Sequence, residues 1–410
     1  MKTPTILAFV MAGGEGIRLR PFTTELPKPA LPFGGEYRII DFVLSNLYNS
    51  GIRQVYVLTQ FRPQPLLAHI GRNWAVLPDE PRGFVAPVLP PTSPGAAPFQ
   101  GTADAVRQCF DLVNKHAPDL VAVFAADHVY RMDIRQMIDF HETCGAETTV
   151  AAIPVPVERA SSFGIIGADH ERRIREFREK PQQPTSMPGN PHVAYASMGN
   201  YVFRPAVLKQ ALKEAEQRGE HDFGRHVLPR LIHTHRVYAY DFATNQVPGV
   251  APHEEPAYWR DVGNIETYVE AHRDVIGPTP RFSLDNHHWP ILSSAAGHDR
   301  QSMRSRADNS ILGPGSIAAG AVVRRSVLQR NVRLEPGARV DNCIIMDGVT
   351  VRRGARLRDT LVGCKNTIGE GTRIGYDRHR DREFFFVTSF GTVVIPPRGE
   401  GSELTRVSAV

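Results

Sequence analysis

The chain has 410 residues, 41% of them hydrophobic and 22% charged, with a formal net charge of +5. That length accommodates two domains, and the balance is that of an ordinary soluble globular protein. No basic run interleaved with aromatics marks a nucleic-acid binder, no stretch approaches the ~20 apolar residues that span a bilayer, and Cys109, Cys144, Cys343 and Cys364 form neither a CxxC pair nor a disulfide framework.

The first apolar run, Ile6 to Met11, reads as a buried strand of a parallel sheet. It is too short for a secretory signal and ends in GGEGIR rather than a cleavage site, so a cytoplasmic setting is expected. The run opens into Gly13, Gly14 and Gly16, followed by Arg18, Arg20 and Lys28. Glycines let backbone N–H groups close on an anion, and the cations neutralise it, so this stretch reads as a polyphosphate cradle. A dinucleotide fingerprint fails because Leu19 stands where a third glycine is needed, and the Gly-Lys-Ser/Thr of a P-loop is absent.

Further strands are expected at Val55–Thr59, Val121–Ala125, Thr148–Val155, Ser197–Phe203 and Val237–Phe242. Helices are expected at Ile39–Tyr48, Asp133–Cys144, Ala206–Gln217 and Ile265–Val275. This alternation over residues 1–275 indicates an α/β sheet. The proline-rich Phe84–Phe99 reads as a long surface loop. Asp127 lies just past the end of Val121–Ala125, where open α/β sheets place their ligands. Asp261 lies ahead of the helix at Ile265, for which Asn264 is the better cap. Two carboxylates plus phosphate oxygens form a reasonable Mg²⁺ site. Lys180, in Glu179-Lys180-Pro181, is placed to hold a phosphate as a point charge. The histidines lack paired metal-ligand spacing and read as structural or surface residues.

Residues 276–310 are irregular and read as a linker that partly packs. From Ile311 apolar residues recur at i and i+6, as in Ile311/Ile317, Val332/Ala338, Leu334/Val340, Val349/Ala355, Val351/Leu357 and Ile368/Ile374. A six-residue repeat is the signature of a parallel β-helix, here over 311–410. The end of that segment reads as a charged turn, Asp377 to Glu383, then a strand-like Phe384–Pro396.

The stretches AGGEGIRL, PKPALPFGG, YRIIDFVLSN, GTADA, ADHVYRMD, SSFGII, EKP, ASMGNYVF, HDFG and YWRDVG occur in order. Together they resemble the ADP-glucose pyrophosphorylase family of sugar-1-phosphate nucleotidylyltransferases. The resemblance implies a Rossmann-like catalytic domain followed by a left-handed β-helix, a homotetramer, and transfer of a nucleotidyl group from an NTP to a sugar 1-phosphate with release of pyrophosphate. It assigns Gly13, Gly14, Gly16, Gly101 and Thr102 to the nucleotide, and Arg18, Lys28 and Asp127 to catalysis. Asp127 and Asp261 are assigned to Mg²⁺, and Phe99, Gly164, Glu179, Lys180 and Ser197 to the sugar phosphate.

Three departures from the family pattern stand out. A Pro-Ala-Gln-Gln run whose glutamine reads the adenine is replaced by Leu89-Pro90-Pro91-Thr92. Pro98-Phe99 replaces a Trp-Tyr pair, and Glu36 stands where activated members carry a basic residue. These departures lead to an expectation of a specialised paralogue using GTP and a cyclitol phosphate such as valienol 1-phosphate. Glucose-1-phosphate adenylyltransferase is the alternative. A non-catalytic regulatory subunit is the third reading, and the retained Lys28, Asp127, Lys180 and Asp261 argue against it.

Overall fold

In the computed structural model, which describes residues 4–75, 77, 83–91, 97–293 and 309–398, the first apolar run forms strand β1 (Ile6–Met11). Its four middle residues are fully buried, because both faces of a central strand are covered. Eight further strands complete its sheet: β2 (Gln54–Leu58), β3 (Phe84–Val88), β4 (Leu120–Ala125), β5 (Thr148–Pro156), β6 (Gly164–Ala168), β7 (Ile174–Glu179), β8 (Val193–Phe203) and β9 (Val237–Asp241). The order is β7-β6-β8-β4-β1-β2-β3, with β5 paired to β8 and β9. Strands β4, β1, β2 and β3 are parallel, and β8 runs antiparallel to its neighbours.

The chain divides into two units. The first comprises Met1–Gly14, Val43–Ala126 and Arg131–Pro248, and holds this sheet. Its core gathers Leu7, Phe9, Val121, Val123, Phe203 and Phe223. The expectation of a loop throughout Phe84–Phe99 is corrected: Phe84–Val88 pairs in parallel with β2, Pro87 opposite Val57. Proline cannot donate to a ladder, and β3 tolerates it because it is the edge strand. Thr92 lies outside the described residues.

The second unit comprises Glu15–Phe42, Asp127–Tyr130 and Gly249–Val410. Its repeat region folds as three parallel sheets whose strands pair with segments about one coil later, as in Arg339–Asp341 on Arg356–Arg358 and Arg333–Leu334 on Thr350–Val351. The partners Val327, Ile344 and Leu361 are spaced by 17 residues, so these coils each lose one residue from three full hexapeptides. This is a parallel β-helix of the left-handed hexapeptide type. Five of the six expected pairs are buried, but the pair at Ile311/Ile317 is not: Ile317 is 57% exposed on the first coil. The expected charged turn at Asp377–Glu383 is instead a helix, Arg378–Phe384. Asp377 caps it, accepting from the backbone N–H groups of His379 and Arg380.

The start of this unit belongs to a second core beside the β-helix interior. The hairpin of Pro32–Phe33 and Tyr37–Arg38, the helix Ile265–Asp274 and coil residues Ile344 and Leu361 share one apolar cluster. A buried polar ladder crosses it. Gly35 N donates to Gln329 Oε1 at 2.9 Å, Gln329 Nε2 lies 3.0 Å from His272 Nε2, and His272 Nδ1 lies 2.9 Å from Tyr268 O. Within 276–293, Phe282, Leu284, Trp289 and Ile291 are buried. The polar run expected as linker at 296–308 and the tail beyond 398 lie outside the described residues.

Candidate active site

Lys28 opens a short 3₁₀ turn, and its side chain is only 8% exposed. An ammonium so buried needs anions. Its Nζ donates to Asp127 Oδ2 at 2.9 Å and to Asp261 Oδ1 at 3.0 Å. Burial alone would lower the lysine's pKa, but the two carboxylates and their hydrogen bonds outweigh it and hold the group above its ordinary value. For Asp127, burial acts upward, and the Lys28 ammonium with its hydrogen bond overcomes it and presses the carboxyl well below the usual range. The group stays ionised at neutral pH.

The backbone explains why residues so distant in sequence meet. Asp127 sits directly after β4, and the next segment, His128–Tyr130, pairs antiparallel with Trp259–Asp261. That pairing sets Asp261 opposite His128. Asn264 then starts the helix Ile265–Asp274 with a capping box. Asp261 is thereby left free of capping duty, as the sequence led one to expect.

Glycines bring the remaining groups close. Gly16 has φ 62°, and a Cβ there would lie 3.0 Å from Thr23 Cγ2 and 3.2 Å from Lys28 Cβ. Gly263 was not singled out in the sequence. A Cβ on it would meet Arg18 Nη2 at 2.9 Å and Asp261 Oδ2 at 3.0 Å, so its bareness lets the guanidinium and the carboxylate converge. Arg18 is exposed. Gly13 and Gly14 belong to the first unit, where a Cβ on Gly14 would meet nothing within 4 Å.

The first unit holds a second cluster. Glu179 and Gly164 pair across β7 and β6, and a Cβ on Gly164 would lie 2.9 Å from Glu179 Oε2. Gly224 gives way to the same oxygen, at 3.1 Å. Lys180 has φ 50° and turns the chain out of β7, leaving its side chain 52% exposed with Nζ 3.5 Å from Glu179 Oε1. Ser197 lies where β8 shifts register, between Ser197 and Tyr201. Burial raises the pKa of the Tyr201 phenol, offset in part by the Ser197 hydroxyl, so it remains protonated.

Thr102 donates to Asp222 Oδ2 at 3.1 Å and accepts from Phe223 N at 3.0 Å. Gly101 packs flat on His221, whose carbonyl a Cβ would approach to 2.4 Å. The GTADA and HDFG stretches are therefore clamped together, a role for Asp222 that the motif alone did not reveal. Phe99 is buried, and both its backbone N and O bond the Gln60 side-chain amide at 2.9 Å.

The triad Asp127, His128 and Asp261 offers three ligand atoms within 4.8 Å of one another. Two carboxylates already held together by a cation, the Lys28 ammonium, are a donor set suited to a divalent ion. Such a set, flanked by Arg18, can neutralise and orient phosphates.

The nucleotidyl transferase family model matches residues 7–277, and the GlmU-like C-terminal hexapeptide model matches residues 294–395. The chain is similar to the glucose-1-phosphate adenylyltransferase of Thermodesulfovibrio yellowstonii, 44% identical over 96% of both chains. It is also similar to those of Corynebacterium jeikeium, 43% identical over 95% of this chain and 97% of the relative, and Frankia casuarinae, 42% identical over 97% and 99%.

Proposed function

The chain belongs to the ADP-glucose pyrophosphorylase family of sugar-1-phosphate nucleotidyltransferases, and from that premise we propose that it makes ADP-glucose and diphosphate from ATP and glucose 1-phosphate. The observation that carries the chemistry is Lys28 held between Asp127 and Asp261. The names of the relatives favour ATP and glucose 1-phosphate as the pair.

In this reading the phosphate oxygen of the sugar phosphate attacks the α-phosphorus in line, and pyrophosphate leaves. No protein nucleophile is required, so the residues act by positioning and by neutralising charge. Lys28 and Arg18, with the backbone of Gly13, Gly14 and Gly16, serve the triphosphate. Gly101 and Thr102 support the nucleotide segment, while Gly164, Glu179, Lys180, Ser197 and Phe99 serve the sugar phosphate. Asp127 and Asp261 would hold the divalent ion, Mg²⁺ by the family resemblance, which when bound would neutralise phosphate charge. The same family reading carries a catalytic domain at 1–275, a linker at 276–310, a β-helix domain at 311–410 and a homotetramer.

A second reading keeps the reaction and changes the substrates to GTP and a cyclitol phosphate such as valienol 1-phosphate. It rests on Leu89-Pro90-Pro91 in place of the adenine-reading run and on Phe99 in place of tyrosine. A bidentate amide contact to adenine is worth about 1–3 kcal/mol in DNA grooves, enough to move base preference by one or two decades.

One assay separates these readings. The protein is offered ATP, GTP, UTP, CTP and dTTP in turn, with glucose 1-phosphate or valienol 1-phosphate and Mg²⁺, and pyrophosphate is followed. Preference for ATP with glucose 1-phosphate supports the proposal. Preference for GTP with the cyclitol phosphate overturns it in favour of the second reading, and silence with every pair overturns both.

A further inference from the structure

We propose that His128 is a nitrogen ligand of the divalent cation held by Asp127 and Asp261, and that the site therefore takes Mn²⁺ or Co²⁺ in preference to Mg²⁺. This builds on the metal reading above and adds to it a third ligand and a cation class.

The local fold aims the ring at the carboxylates. His128 and Asp261 are directly paired across an antiparallel ribbon, and paired residues present their side chains on one face. The ring packs on Trp259 with centroids 4.8 Å apart, which fixes its plane. The side chain is 11% exposed. Nε2 lies 3.6 Å from Asp127 Oδ1, too far for a hydrogen bond. Nδ1 is buried with no hydrogen-bond partner among the described residues.

An imidazole beside two carboxylates would ordinarily donate to one of them. This one donates to neither, although ligand atoms of all three residues lie within 4.8 Å of one another. That spacing leaves room for a cation between them, to which Nε2 would offer a lone pair in place of a proton. Lys28 engages Oδ2 of Asp127 and Oδ1 of Asp261, one oxygen of each carboxylate. The Asp127 oxygen facing His128 is the other one. Imidazole nitrogen suits transition-metal ions, whereas Mg²⁺ favours an all-oxygen octahedron, so a nitrogen in the set shifts selectivity.

The test is pulsed electron paramagnetic resonance on the full chain with Mn²⁺ and inorganic triphosphate, which contributes no nitrogen of its own. The expected result is a ¹⁴N modulation on bound Mn²⁺ that changes to the ¹⁵N pattern in protein labelled with [¹⁵N]histidine, and disappears in His128→Gln. The labelling arm needs no substitution, so it stands even if the variant folds poorly. In the variant, Mn²⁺ affinity falls about tenfold or more, and the preference for Mn²⁺ over Mg²⁺ narrows. Bound Mn²⁺ without nitrogen coupling overturns the role of His128 and leaves the carboxylate site standing. Failure to bind Mn²⁺ at all overturns both.

Discussion

Lys28 donates to Asp127 across 99 positions of sequence, Nζ to Oδ2 at 2.9 Å, and in doing so occupies one oxygen of a carboxylate pair that a metal would also use. The ammonium and a divalent cation therefore compete electrostatically for the same negative charge. Lys28→Met removes one positive charge and keeps most of the stem. Mn²⁺ affinity measured without nucleotide is expected to rise, while kcat falls by about 10²–10³ because transition-state charge goes unmatched. Loss of the charged hydrogen bonds lowers stability by about 1.5–3 kcal/mol. Calorimetric titration of Mn²⁺ decides the matter, and an unchanged affinity would refute the competition.

The glycines of the proposed phosphate loop separate by structure into two kinds. Gly14 has open space where a Cβ would go, so Gly14→Ala leaves the fold intact. Any rise in KM for the nucleotide then reports on the cradle itself. Gly16→Ala meets a φ of 62°, at a cost of about 1–2 kcal/mol. Its new methyl also crowds the Lys28 stem, so kcat is expected to drop by tenfold or more, since a displacement of about 1 Å can cost 10²-fold. Steady-state kinetics beside thermal melts separate the two effects. A Gly14→Ala enzyme with wild-type KM would remove that position from the cradle.

Much of this architecture was legible in the residues. Continuous apolar runs such as Ile6–Met11 and Leu120–Ala125 betray strands buried on both faces. Edge strand Phe84–Val88 escaped because Pro87 is forbidden in a central strand but harmless where one side of the ladder is unpaired. Helix Arg378–Phe384 escaped because it buries only Asp381 and carries no apolar stripe. The grouping of Asp127 with Asp261 was legible from their positions and from the family pattern, whereas His128 gave no metal-spacing signal of its own. Its partner lies on another strand, and only the register of His128–Tyr130 against Trp259–Asp261 unites them. Gly263 and Asp222 belonged to recognised stretches, but their roles depend on contacts with Arg18 and Thr102 that no local pattern encodes.

The proposed sugar-phosphate cluster is tested by two substitutions of different kind. Gly164→Ala places a methyl 2.9 Å from Glu179 Oε2 and 3.1 Å from the Phe177 ring, so the carboxylate must move. Lys180→Ala removes an exposed cation without crowding anything. Both should raise KM for the sugar phosphate more than for the nucleotide. Loss of a charged hydrogen bond of about 1.5–3 kcal/mol predicts roughly a 10- to 150-fold rise for Lys180→Ala. An unchanged KM in that variant would exclude the lysine from substrate binding.

Acid should weaken the β-helix unit through His272. Burial lowers its pKa from the ordinary 6.5 to about 4, with only partial relief from its bond to Tyr268 O. The neutral ring fits its surroundings, where Nδ1 donates to that carbonyl and Nε2 accepts from Gln329. Because the folded pKa is depressed, the unfolded chain takes up a proton first as pH falls. The stabilisation is complete above about pH 6.5 and is lost progressively toward pH 4, by up to about 3 kcal/mol at 1.36 kcal/mol per pKa unit. His141 in the other unit is lowered to about 4 by burial as well, so it adds to the same slope. Urea denaturation between pH 7 and pH 4.5 should therefore show stability falling with acid, and the fall should be shallower in His272→Gln though not absent. An identical slope in the variant would mean that His272 is protonated in the folded protein at these pH values and that the ladder through Gln329 has rearranged to accept it.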